Sequence, residues 1–164
     1  MSAATTPPHT PFSLPVRVYW EDTDAGGVVF YANYLKFFER ARTEWLRRLG
    51  LNQHTLREQT GGMFVVSSAQ IKYHQPARLD DLLTVTAHIE QLGKASVVFA
   101  QEAYRHIDTA HTSTAANKEL QPHSTLLAAG SIRVGWVHAQ TMQPGRIPAA
   151  VLAAMQAAGD THTG

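Results

Sequence analysis

The chain has 164 residues, 44% of them apolar and 16% charged, a balance that suits one globular domain with a real core. Its formal charge is +1, so composition gives no reason to expect a nucleic acid or a membrane surface as partner. It contains no cysteine, which removes disulfide frameworks, thiol nucleophiles and thiolate metal sites together and fits a reducing cytoplasm.

Met1 to Phe12 carries neither the basic start nor the apolar block of a secretory signal, and residues 1–14 read as a flexible leader. Pro15 then introduces Val16-Arg17-Val18-Tyr19-Trp20, a β-branched and aromatic run expected to be a strand. Glu21-Asp22-Thr23-Asp24-Ala25-Gly26-Gly27 is polar and glycine-rich and must turn the chain. Asn33 to Gly50 reads as the longest helix, with Asn33 as N-cap and Gly50 as stop. Tyr34, Phe38, Ala41, Trp45 and Leu49 recur at spacings of three or four, with Leu35 and Leu46 beside them, and form one apolar stripe. Arg40–Glu44 and Glu44–Arg48 are i,i+4 pairs on the polar side.

Beyond the helix the period changes to two. Val65, Ser67, Ala69, Ile71 and Tyr73 alternate with polar neighbours until Pro76, and Leu83, Val85, Ala87 and Ile89 do the same in a second strand. Gly93-Lys94 forms a turn, Val97 to Tyr104 returns antiparallel, and Leu126 to Val137 is a further strand. Asp108 to Ser124 has no apolar period and reads as a long hairpin loop, and Pro148 to Ala158 as a final helix. One helix followed by hairpin-connected strands gives an α+β fold with an antiparallel sheet on that helix. The expected organisation is a leader over 1–14, one domain over 15–148, and a helix with tail over 149–164. No run reaches the roughly 20 apolar residues of a transmembrane helix.

The segment from Val16 through Asp22-Thr23-Asp24-Ala25-Gly26-Gly27 to Tyr34 resembles the acyl-CoA thioesterases associated with the Tol-Pal system, relatives of the 4-hydroxybenzoyl-CoA thioesterases. The likeness continues through Phe38-Glu39-Arg40-Ala41-Arg42-Thr43-Glu44-Trp45-Leu46 and returns at Leu92-Gly93-Lys94-Ala95-Ser96. The resemblance implies a hotdog fold, in which a curved antiparallel sheet wraps one long helix. It also implies a cytoplasmic homodimer or homotetramer with active sites at subunit boundaries, and an acyl-CoA substrate, or an acyl carrier protein in its place. Coenzyme A belongs to the substrate, and no cofactor or metal is implied.

In that family the catalytic carboxylate is the second of the Asp-x-Asp pair, here Asp24; Asp22 is left as structural support. The chemistry suits a carboxylate, because the chain also lacks Gly-x-Ser-x-Gly and His-Glu-x-x-His. Asp24 could activate water as general base or attack the thioester directly. Both aspartates could equally be turn formers that bond nearby amides. The glycine-rich turn that feeds a helix offers N–H groups for a developing oxyanion, the amide near Tyr31 foremost.

Tyr31 stands where many members carry a histidine that assists catalysis, so weight shifts onto Asp24 and backbone amides. Trp20 stands where tyrosine is usual, and Trp20, Tyr31 and Gly27 are expected to line or shape the substrate site. Lys94 and Ser96 match a turn that contacts coenzyme A phosphates in relatives, although a lysine at a hairpin tip is commonly just exposed. Glu39 and Glu44, alternative helix acids, read as a solvated face. The nine histidines are scattered without ligand spacing. The rival reading is a non-catalytic acyl-binding or envelope-machinery module. A dehydratase is weaker, since the catalytic turn contains no histidine.

Overall fold

The computed structural model describes residues 12–106 and 124–160. Within them lie β1 (Phe12–Arg17), α1 (Asn33–Arg48), α2 (Gln53–Thr60), β2 (Gly62–Tyr73), β3 (Leu82–Leu92), β4 (Ser96–His106), β5 (Ser124–His138) and α3 (Ala149–Asp160). The strands form one sheet in the order β1-β3-β4-β5-β2, every pairing antiparallel. This is the α+β arrangement expected from the pattern, with α1 packed on β1, β3 and β4. Most of the leader and the loop expected over 108–124 lie outside the described residues.

The apolar stripe of α1 faces the sheet as its spacing predicts. Tyr34, Phe38, Ala41, Trp45 and Leu46 are buried, and Phe37 joins them. Each large apolar side chain contributes about 1.5–3 kcal/mol by leaving water. Leu35 is the exception: it is exposed, one position off the stripe. The opposing face comes from Leu83, Val85 and Ala87 of β3, Val97, Phe99 and Ala103 of β4, and Leu127, Ile132 and Val134 of β5. Trp45 meets Phe99 edge-on at 5.4 Å.

Four expectations are corrected. β1 spans Phe12–Arg17, so it begins three residues before Pro15 and ends before Tyr19 and Trp20. Pro15 is tolerated inside it because β1 is an edge strand. Trp20–Asp22 is instead a short 3-10 turn, closed by the Asp22 carboxylate, which accepts the Tyr19 N–H at 2.8 Å.

Asn33 is the first residue of α1 and does not cap it; its side-chain amide donates to the Asp22 carbonyl at 2.8 Å. Helix α2 has no counterpart among the elements expected from the sequence. It is capped by Asn52, whose side chain accepts the His54 and Thr55 N–H groups, and ends at Gly61 in the left-handed region.

The fourth correction concerns β2. A bulge between Val66 and Ser68 leaves Ser67 unpaired, so the alternation changes parity there. Phe64, opposite Trp136, and Val66, opposite Val134, therefore share a face with Ala69, Ile71 and Tyr73. The simple odd-numbered alternation from Val65 to Tyr73 holds only for the second half of the strand.

Candidate active site

The turn between β1 and α1 is built from Asp22 outward. Asp22 is buried, and its carbonyl accepts both the Phe30 N–H at 2.9 Å and the Asn33 side-chain amide. Its carboxylate holds the Tyr19 N–H, so this residue is the structural post of the turn, as expected. The segment after it doubles back: the Asp24 N–H donates to the Val28 carbonyl at 2.9 Å and the Gly27 N–H to the Asp24 carbonyl at 3.0 Å. Val29 then ties the turn to the β2–β3 connection by donating to the Ala77 carbonyl.

Asp24 sits at the exposed tip. Its Oδ1 accepts the Gly26 N–H at 2.8 Å, so the turn-forming reading is physically correct as far as one oxygen goes. Its Oδ2 accepts nothing from the described residues. Both glycines have a reason. A Cβ on Gly26 would stand 3.1 Å from Asp24 Oδ1, and Gly27 adopts φ +74°, which side chains with a Cβ rarely enter.

The start of α1 supplies donors. The Phe30 N–H is committed to Asp22, and the Asn33 N–H to the Phe30 carbonyl at 2.8 Å. Between them, the N–H groups of Tyr31 and Ala32 donate to no acceptor among the described residues. They lie at the positive end of the α1 dipole.

Around this turn the aromatic side chains face outward: Trp20 is 79% exposed, Tyr31 63% and Tyr19 61%. Neither Trp20 nor Tyr31 is a core residue of this chain. Tyr31 meets Phe30 at 4.8 Å and Tyr73 of β2 edge-on at 6.2 Å, while Tyr34 meets Tyr73 at 5.6 Å. The Tyr73 hydroxyl donates to the Tyr31 carbonyl at 2.9 Å. Burial raises the Tyr73 phenol above its ordinary value, with Tyr31 adding to the effect. Burial also raises Tyr34, whose hydroxyl accepts the Ala77 N–H. The sequence marks Tyr73 only as a strand residue; its partner lies 42 positions away, and no local pattern points to it.

Lys94 and Ser96 are elsewhere. They occupy the β3–β4 hairpin, where the Gly93 N–H donates to the Ser96 carbonyl and Lys94 gives its own carbonyl to the Ile147 N–H. Arg133 donates to the Ser96 hydroxyl at 3.0 Å. The Asp24 turn packs at the opposite end of β3, where the Val18 N–H bonds the Asp81 carbonyl. Eleven residues of strand put roughly 33 Å between the two ends. Asp24, Gly27, Trp20 and Tyr31 thus all belong to the connection between β1 and α1, and Lys94 and Ser96 are remote from it within one chain.

The helix acids behave as a solvated face in part. Glu44 pairs with Arg47 rather than Arg40 or Arg48. Glu39 lies at the edge of a cavity of about 270 Å³ shared by Arg42, Leu46, Phe64 and Met155. Arg42 is buried there and donates to the Gln101 side chain at 2.8 Å; burial lowers its pKa, against the opposing pull of Glu39.

Comparison with known proteins agrees with this frame. The sequence profile described as the thioesterase superfamily matches residues 26–110. The acyl-CoA thioesterase YbgC of Haemophilus influenzae is 41% identical over 143 residues, covering 87% of this chain and 93% of that protein. A probable thioesterase from Bartonella henselae matches in structure with TM-score 0.69 at 30% identity, covering 85% of this chain and 100% of that one. A 4-hydroxybenzoyl-CoA thioesterase, an aspartate-to-asparagine mutant complexed with 4-hydroxybenzoyl-CoA, matches in fold with TM-score 0.74 at 16% identity, covering 87% and 96%. With its antiparallel sheet on one long helix, the chain belongs to the thioesterase superfamily and has the hotdog fold.

Proposed function

We propose that this chain hydrolyses an acyl-CoA thioester to a carboxylic acid and free coenzyme A, with Asp24 as general base or nucleophile. The observation that carries the reading is the turn itself. An exposed carboxylate keeps one oxygen unengaged in the same β1–α1 connection that carries two N–H groups with no acceptor among the described residues. The names of the similar proteins, acyl-CoA thioesterase YbgC among them, support the substrate class.

In the general-base route Asp24 Oδ2 takes a proton from water as the hydroxide adds to the thioester carbon. The oxygen that becomes negative is received by the Tyr31 and Ala32 N–H groups, each such donor being worth about 2.7–4 kcal/mol. Collapse expels the coenzyme A thiolate, which recovers the proton from the Asp24 carboxyl. In the covalent route Oδ2 itself adds, the thiolate leaves, and water hydrolyses the mixed anhydride. Tyr31 contributes through its backbone, and its ring with Trp20 lines the acyl side of the site.

The separation of Lys94 and Ser96 from Asp24 favours a site shared between copies of the chain, with the hairpin of one copy at the coenzyme A phosphates of another. A homodimer or homotetramer fits the exposed aromatic surface around the turn and the free edge of β2, where Val66 is 51% exposed. No helix of the described residues is long and apolar enough to cross a membrane. A cytoplasmic reaction is part of the proposal. An acyl carrier protein could present the same thioester.

Purified protein assayed for thiol release against short, long and aromatic acyl-CoA substrates, and one acyl-carrier-protein thioester, tests this reading. Hydrolysis of at least one class is expected. Folded protein that hydrolyses none, yet binds acyl chains, would instead support the non-catalytic module.

A further inference from the structure

The two N–H groups without acceptors among the described residues belong to two consecutive peptide units, and the carbonyl of each unit is tied. The Phe30 carbonyl accepts the Asn33 N–H at 2.8 Å, and the Tyr31 carbonyl accepts the Tyr73 hydroxyl at 2.9 Å. In a planar trans peptide the carbonyl and the N–H point in opposite directions, so fixing one fixes the other. The first tie is local backbone. The second comes from a different element, the last residue of β2.

We infer that Tyr73 is a positioning residue for thioester hydrolysis, its hydroxyl holding the Tyr31–Ala32 peptide so that the Ala32 N–H faces the developing oxyanion. This deepens the proposed function and rests on it. The geometry around Tyr73 suits the task. Its ring is held edge-on by Tyr31 at 6.2 Å and by Tyr34 at 5.6 Å, and Tyr34 is itself buried and bonded to Ala77. The hydroxyl therefore reaches the carbonyl from a fixed ring. A donor on a carbonyl draws electron density toward that oxygen and strengthens the N–H of the same amide. The raised phenol keeps its proton across the neutral range and so stays a donor.

The site is then assembled from two ends of the sequence that meet only in the fold. The turn supplies Asp24 and the free N–H groups, and the end of β2 sets the direction of one of them. Tyr73→Phe removes the hydroxyl and keeps both ring contacts, so it isolates the bond.

Three proteins are compared: the unmodified chain, Tyr73→Phe and Asp24→Asn. Each is assayed for kcat and KM on the best acyl-CoA substrate, and for binding of two coenzyme A analogues. One is a trifluoromethyl ketone, whose hydrated form mimics the oxyanion; the other is a thioether with no carbonyl. Tyr73→Phe is expected to lower kcat about tenfold with KM within twofold, and to weaken the ketone about tenfold while the thioether binds as before. Unchanged kcat in Tyr73→Phe beside an inactive Asp24→Asn overturns the positioning role and leaves the proposed function standing. Equal weakening of both analogues, or a rise in KM alone, also overturns it, since that is the result of general loosening. Full activity in Asp24→Asn overturns the role of Asp24 and leaves the hydrolysis of a thioester standing.

Discussion

Asp22 is buried and holds the Tyr19 N–H, while Asp24, two residues on, is exposed and holds the Gly26 N–H with a single oxygen. The same side chain does two jobs because of contacts that arrive from further along the chain. Phe30 and Asn33 both donate to the Asp22 carbonyl and draw that residue inward. Replacing Asp22 by Ala leaves the Tyr19 N–H without its acceptor and should destabilise the protein by about 1–3 kcal/mol, read by urea denaturation. Sequence alone offers two equivalent carboxylates in a polar turn. The resemblance chose Asp24; the fold distinguishes the two carboxylates by burying Asp22 and exposing Asp24. Tyr73 was beyond reach, because a phenol in a strand shows no sign of the carbonyl it will meet.

At the level of elements, legibility followed the strength of the period. α1 was readable because its buried positions repeat over four turns, and β3 because Leu83, Val85 and Ala87 alternate without interruption. α2 was missed because eight residues with only Leu56 half-buried carry no period; its cap, Asn52, and its stop, Gly61, were the available signals. β2 was read with one parity throughout, since a bulge at Ser67 adds a residue without any change in composition. Tyr19 and Trp20 have strand-forming side chains, yet their backbone is taken by the Asp22 turn.

The join between α1 and the sheet gives a second prediction. Gln101, fully buried on β4, donates to the Phe38 and Thr86 carbonyls and accepts from buried Arg42. Gln101→Leu strands the guanidinium and should cost about 2–3 kcal/mol. Adding Arg42→Leu should cost less than the sum of the two single changes, which a double-mutant cycle in urea measures.

For the whole molecule, the sheet ends in β1 on one side and β2 on the other, and β2 exposes Val66 to Gln70 along its edge. In the proposed oligomer a lysine at Val66 places a charge on that edge and should shift the protein to monomers by sedimentation, with turnover falling alongside. Retained assembly and turnover would point to a different interface. The separation between Asp24 and Lys94 was invisible in sequence, where both simply belonged to motifs. Only the strand register shows that one chain holds them at opposite ends.

The proposed hydrolysis depends on Asp24 carrying the chemistry. Steady-state thiol release by Asp24→Asn, on the substrate the unmodified protein hydrolyses best, addresses that most directly. A fall in kcat of at least about 100-fold is expected, with the fold retained, because the amide can neither take a proton from water nor attack. Turnover within a few-fold of the unmodified protein would contradict it.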